Sequence, residues 1–108
     1  MDDEDLKLIT LARASRARAE ASEGAAVRDQ TGRTYSAATV TLPSLRLSAL
    51  QVAVAMAASS GAESLEAAAV VTTTNPQPAD LSAVRDLGKT ATVFVAAADG
   101  TLRETISA

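Results

Sequence analysis

Residues 65–97 read LEAAAVVTTTNPQPADLSAVRDLGKTATVFVAA, and this stretch decides the fold class. From Leu65 to Thr73 it contains Ala67-Ala68-Ala69-Val70-Val71. A short apolar run bounded by polar turns predicts a central strand buried on both faces. The following segment, Thr74 to Asp80, carries Pro76 and Pro78 and reads as a loop. A short helix is predicted over Ala79–Leu87, closed by Gly88. A second strand is predicted over Thr90–Ala97, with Val93, Phe94 and Val95 at its centre. Strand, helix and strand in such close succession imply a sheet crossed by a helix.

Toward the N-terminus, residues Asp3 to Ala21 read as a helix. Acidic residues open it, and Arg13, Arg16 and Arg18 lie toward its end, which suits the helix dipole. That placement makes the arginines a solvated, dipole-favoured helix end rather than a phosphate-binding patch. Gly24 breaks the pattern. Ala25–Asp29 reads as a strand, Asp29-Gln30-Thr31-Gly32 as a turn with Gly32 free to take positive φ, and Arg33–Thr41 as the returning strand. Pro43 ends it, and Ser44 reads as the N-cap of a helix over Leu45–Ser60, with Gly61 as its C-cap. Toward the C-terminus, Ala98-Asp99-Gly100 is a tight turn and Thr101–Ile106 a short last strand. The expected fold is a single α/β domain over residues 1–108. It is a three-layer α/β/α sandwich around a central mixed sheet of four to five strands.

Composition narrows the chemistry. Apolar residues make up 47% of the 108 residues, yet Tyr35 and Phe94 are the only aromatics and much of the rest is alanine. Alanine buries little area, so a monomer built this way is marginal and subunit association is expected. The net charge of −3 comes with no basic stripe, which argues against nucleic acid as a partner. Cys and His are both absent. Thiolate and imidazole metal ligands, Cys or His nucleophiles and His bases are therefore excluded. The acidic N-terminus lacks a signal-peptide pattern, and no apolar run is long enough to span a membrane. A cytoplasmic location with no membrane partner is the expectation.

In this order, the helix, Glu23-Gly24-Ala25-Ala26-Val27, Gly32-Arg33-Thr34-Tyr35, Ser59-Ser60-Gly61, Ala67–Val71 and the tail Ala98-Asp99-Gly100 with Leu102-Arg103-Glu104-Thr105 resemble the small zinc-dependent cytidine deaminases. The resemblance runs over nearly the whole chain. It implies a cytidine-deaminase fold and a homo-oligomer, dimer or tetramer. It also implies an active site at two helix N-termini, where three Cys or His ligands hold zinc and a Glu shuttles the proton.

Carried over by position, that resemblance puts Ser48, Gln77 and Asp80 where the zinc ligands stand and Leu50 where the proton-shuttling Glu stands. The substrate-gripping positions fall on Thr39 and Thr41. The expectation is a degenerate member with no zinc, no other cofactor and no catalytic residues. Its pocket is expected to be filled by Leu50 and collapsed into core. Ser48, Gln77 and Asp80 supply one carboxylate between them, too few for a hard-cation site, and Ser48 and Asp80 read more simply as groups that satisfy helix N-termini. Ser48 has no His to act as its base, and nothing places Lys7 or Lys89, the only lysines, beside it. The leading functional reading is a catalytically inactive structural or protein-interaction module. The second is a non-catalytic sensor of a nucleoside-like molecule, and the third is an active deaminase or other hydrolase.

Overall fold

A computed structural model describes residues 1–108. The elements in chain order are α1 (Asp3–Ala19), β1 (Gly24–Asp29), β2 (Thr34–Ala38), β3 (Val40–Leu42), β4 (Leu45–Leu47), α2 (Ala49–Ser59), β5 (Leu65–Val71), α3 (Pro78–Leu87), β6 (Thr92–Ala96) and β7 (Leu102–Ser107). The main sheet has five strands in the order β2-β1-β5-β6-β7. The β5–β6 pair is parallel, which is what a helical crossover through α3 requires. The pairs β1–β2, β1–β5 and β6–β7 are antiparallel, so the sheet is mixed as expected.

Strand β5 occupies the centre because it is apolar on both faces. Its side chains alternate between the two helical layers. Ala67, Ala69 and Val71 face α1, where Leu8, Ile9 and Ala12 join them with Ala26, Phe94 and Ala96. On the opposite face, Ala68 and Val70 meet Leu50, Ala53, Val54 and Ala57 of α2 and Val84 of α3, together with Ala25, Val27, Val93 and Val95. The alanines are concentrated at these contacts, and small side chains let helix and sheet backbones approach closely. Arg28 ties the layers at one end: its guanidinium donates to Asp5 of α1 at 3.1 Å and to Glu66 of β5 at 2.9 Å.

The N-terminal helix is capped by Asp2, whose carboxylate accepts from the Asp5 amide at 2.9 Å. The arginines near its end hold neighbouring loops. Arg13 donates to the Ala98 carbonyl and Arg16 to the Ser22 carbonyl, both at 3.1 Å. No helix is long and apolar enough to cross a membrane.

The structure corrects the sequence reading between residues 33 and 48. The expected strand Arg33–Thr41 is split into β2 and β3. Residues 45–47, expected as the first turn of a helix, form β4 and pair back on β3 across Pro43 and Ser44. Ser44 is thus a turn residue, and Ser48 is the N-cap of α2. The physical reason lies in local hydrogen bonding. Ser48 Oγ accepts from the Gln51 amide at 3.2 Å, and Gln51 Oε1 accepts from the Ser48 amide at 3.0 Å. This reciprocal capping box satisfies two helix-end groups at once, which a cap at Ser44 does not do.

Candidate functional site

The carboxyl end of β5, the N-termini of α2 and α3, and the β3–β4 hairpin surround a cavity of about 310 Å³. Ligand sites in open α/β sheets favour such a place, beyond the carboxyl ends of parallel strands. Ser48, Gln77 and Asp80 line it, and so do Thr39 and Thr41 at the junction of β2 with the hairpin. Five of the six positions singled out from the sequence are therefore brought together. The sixth, Leu50, is not among them. It is 1% exposed and packs in the core cluster beneath the sheet face of α2. Leu50 thus lies in the core, as expected, while an open hollow remains at the surface beside the two helix N-termini.

Four of the polar side chains around this cavity are engaged with the chain itself. Ser48 Oγ is held in its capping box. Asp80, only 6% exposed, accepts the Gln77 amide through Oδ2 at 2.9 Å, and Gln77 Nε2 donates to the Asn75 carbonyl at 3.2 Å. Thr39 Oγ1 accepts from the Glu23 amide at 3.1 Å. No buried side-chain nitrogen or oxygen lacks a partner.

Sequence reasoning missed three residues here. Glu23 and Arg46 bring the cavity's other charges, one from the entry to β1 and one from β4. Arg103, on β7, fixes the loop between β5 and α3: it donates to the Thr74 carbonyl at 2.8 Å, to the Thr72 carbonyl at 3.2 Å and to Asn75 Oδ1 at 3.3 Å. These residues come from distant parts of the chain, and no spacing signals their meeting.

A second, larger depression of about 470 Å³ lies beside the β1–β2 turn and the end of α2. Its centre is Asp29, a buried carboxylate. Oδ1 accepts from the Thr31 amide at 2.9 Å, the Thr31 hydroxyl at 2.8 Å and the Arg33 amide at 3.0 Å, while Oδ2 accepts from the Tyr35 hydroxyl at 2.9 Å. Burial pushes the Asp29 pKa up, but these hydrogen bonds outweigh it and hold the carboxyl below its ordinary value. The hydrogen bond to Asp29 is also the main cause that raises the Tyr35 phenol. A depressed carboxyl pKa stabilises the fold above the unfolded value and loses that stabilisation as pH falls through the folded one. Asp29→Asn is therefore expected to lower Tm by several degrees at neutral pH. The gap to the wild type should narrow once pH drops below the usual carboxylate range, and parallel melts across pH check it.

The family model described as Cytidine deaminase-like matches residues 1–100. The chain belongs to the cytidine deaminase-like family. Among solved structures, the cytidine deaminase of Burkholderia pseudomallei superposes with a TM-score of 0.83 at 26% identity, covering 99% of this chain and 93% of that one. The Mycobacterium tuberculosis cytidine deaminase gives a TM-score of 0.73 at 23% identity, with 85% of each chain covered. For the Mycobacterium leprae enzyme the values are 0.73 and 19%, covering 88% of this chain and 89% of that chain. The last two likenesses are those of fold alone. No curated protein matches the chain by sequence.

In this cytidine deaminase-like chain the cavity residues do not fit zinc. The metal prefers thiolate, imidazole or carboxylate in tetrahedral array. Here the available side chains are a hydroxyl, an amide and a single carboxylate, and each is already bonded to its own helix terminus or approach loop. No group of three or more carboxylates, imidazoles or thiolates gathers anywhere in the molecule. What the arrangement does chemically is close two helix N-termini with neutral and acidic caps, next to an open polar hollow.

Proposed function

We propose that this chain is a catalytically inactive member of the cytidine deaminase-like family, a cytoplasmic structural or protein-interaction module that associates with copies of itself. One observation carries the reading. At the helix termini facing the cavity, Ser48 and Asp80 act as capping groups, and the apolar Leu50 sits in the core. A deaminase needs there a metal that activates water and a carboxyl group that moves its proton. The side chains at these positions supply neither function. The scaffold, by contrast, is retained along almost the whole chain.

The purified protein is expected to carry no stoichiometric zinc by elemental analysis. It is also expected to convert neither cytidine nor deoxycytidine to the uracil product above a blank. One zinc per chain, or authentic turnover, would overturn the proposal.

A second reading, a sensor of a nucleoside-like molecule, is favoured by the open cavity of about 310 Å³ and its charged rim residues Glu23 and Arg46. Thermal melts across a nucleoside panel separate the two. Ligand well above its Kd must raise Tm, so a flat response to every nucleoside disposes of the sensor.

A further inference from the structure

Three charged residues line the cavity of about 310 Å³: Glu23, Arg46 and Asp80. Asp80 is committed, because its buried carboxylate closes the N-terminus of α3, where the helix dipole favours negative charge. Glu23 and Arg46 have no such commitment, since both ion pairs in the molecule belong to Arg28. The two charges thus share one hollow without pairing. Glu23 is half-buried at the entry to β1, and Arg46 is exposed on β4. The volume lies at the small end of the range for small-molecule sites, roughly 300–1,000 Å³.

We propose that this cavity binds a small zwitterion, its cationic end at Glu23 and its anionic end at Arg46, with the β3–β4 hairpin closing over it as a flap. Such a site goes beyond the inactive-module reading and needs neither a metal nor a reaction. It shares its cavity with the nucleoside-sensor reading but takes a different class of ligand. Charge selects that class. A neutral nucleoside strips water from both side chains and returns no opposite charge to either. A ligand with one charge meets one attraction and one repulsion. A zwitterion answers both, and the low-dielectric wall of a hollow strengthens each contact relative to open water.

The hairpin is built to move. Strands β3 and β4 form a separate two-stranded sheet, and none of residues 40–47 joins either core cluster. A two-stranded hairpin alone is marginally stable. Its ends, by contrast, are fixed. The Thr39 amide donates to the Glu23 carbonyl at 3.2 Å, and Ser48 is held in its capping box. Between these hinges Val40, Thr41, Arg46 and Leu47 line the cavity. Closure carries Arg46 toward a ligand already held at Glu23, whose backbone is bonded to the hinge at Thr39. Lids are drawn from such elements of low local stability.

The probes are amino acids of increasing length, glycine, β-alanine, γ-aminobutyrate and ε-aminocaproate, whose two charges stand progressively farther apart. Each is added to the full chain at about 20 mM, enough to shift Tm when Kd is millimolar or tighter. At least one length is expected to raise Tm by about 3 °C or more. The same molecule with its amine acetylated or its carboxylate amidated keeps one charge and should give no shift. Glu23→Gln and Arg46→Gln should each weaken binding about tenfold or more, as the loss of one charge contact requires, while circular dichroism shows that both variants fold. Hydrogen exchange of the hairpin amides should slow about tenfold on binding. A flat response to the whole series overturns the proposal, and so does a shift that survives both substitutions. A Tm shift with unchanged hairpin exchange overturns the flap. None of these outcomes bears on zinc content or turnover, so the inactive-module reading stands or falls separately.

Discussion

Placing three thiolates at the cavity, by Ser48→Cys, Gln77→Cys and Asp80→Cys together, is expected to raise zinc affinity by about 10⁴-fold or more over the wild type. The three positions line one cavity at the starts of α2 and α3. Ser48 and Gln77 are the N-caps of those helices, and Asp80 lies in the first turn of α3. Helix N-termini lower thiol pKa values and so favour the metal-binding thiolate. The substitutions also remove the Ser48 cap, worth about 1 kcal/mol, and the Asp80 bond to the Gln77 amide. The metal-free variant should therefore melt below the wild type and recover on adding zinc, because a ligand bound only by the folded state stabilises it.

Leu50→Glu is left out of this set for a structural reason. Leu50 is 1% exposed, and a carboxylate forced into that core costs several kcal/mol, roughly what breaking a buried polar pair costs. Competition against a chromogenic chelator measures the affinity. A folded triple variant that binds zinc no better than the wild type would show that these positions do not correspond to the zinc ligands of the family.

Gly24→Ala is expected to destabilise the fold by about 3 kcal/mol or more, at the upper end of overpacking costs. In a domain of this size that lowers Tm by roughly 12 °C or more. Gly24 opens β1 and pairs with Ala38 on one side and Val71 on the other. A Cβ there would lie 2.0 Å from the Ala12 carbonyl oxygen and 2.8 Å from the Arg16 amide nitrogen. Both are backbone atoms of α1, so a side-chain rotation cannot relieve the clash. The helix must lift away from the sheet and lose contacts made by Leu8, Ile9 and Ala12.

Gly32→Ala provides the comparison. Gly32 has φ +88°, and a methyl group added there would meet nothing within 4 Å. Its cost is that of backbone conformation alone, about 1 kcal/mol. Urea unfolding of both variants measures the difference. Equal losses would mean that α1 does not approach β1 closely enough to exclude a methyl group.

Much of the scaffold was legible because its signals are local. The acidic start of α1, the Asp29–Gly32 turn, the apolar run of β5 and the prolines at the start of α3 all depend on neighbours within a few residues. The hairpin was the exception. Leu45 and Leu47 suit the first turn of a helix as well as a strand, and only pairing with Val40–Leu42 chooses between them. One local signal did mark the true helix start: Ser48-Ala49-Leu50-Gln51 has the spacing of a capping box.

The sequence by itself determined the order of elements outside the β3–β4 hairpin, the buried character of β5 and the absence of any thiolate or imidazole chemistry. Those conclusions need only residue identity and short-range spacing. The tertiary structure alone decided that Thr39, Ser48, Gln77 and Asp80 share one open cavity while Leu50 turns into the core. It also decided that α2 leaves an uncharged face outward. The physical reason is that each of these depends on helix register and on packing between segments far apart in the chain. A capping bond fixes the register of α2, and contact with the sheet then selects which of its faces is buried.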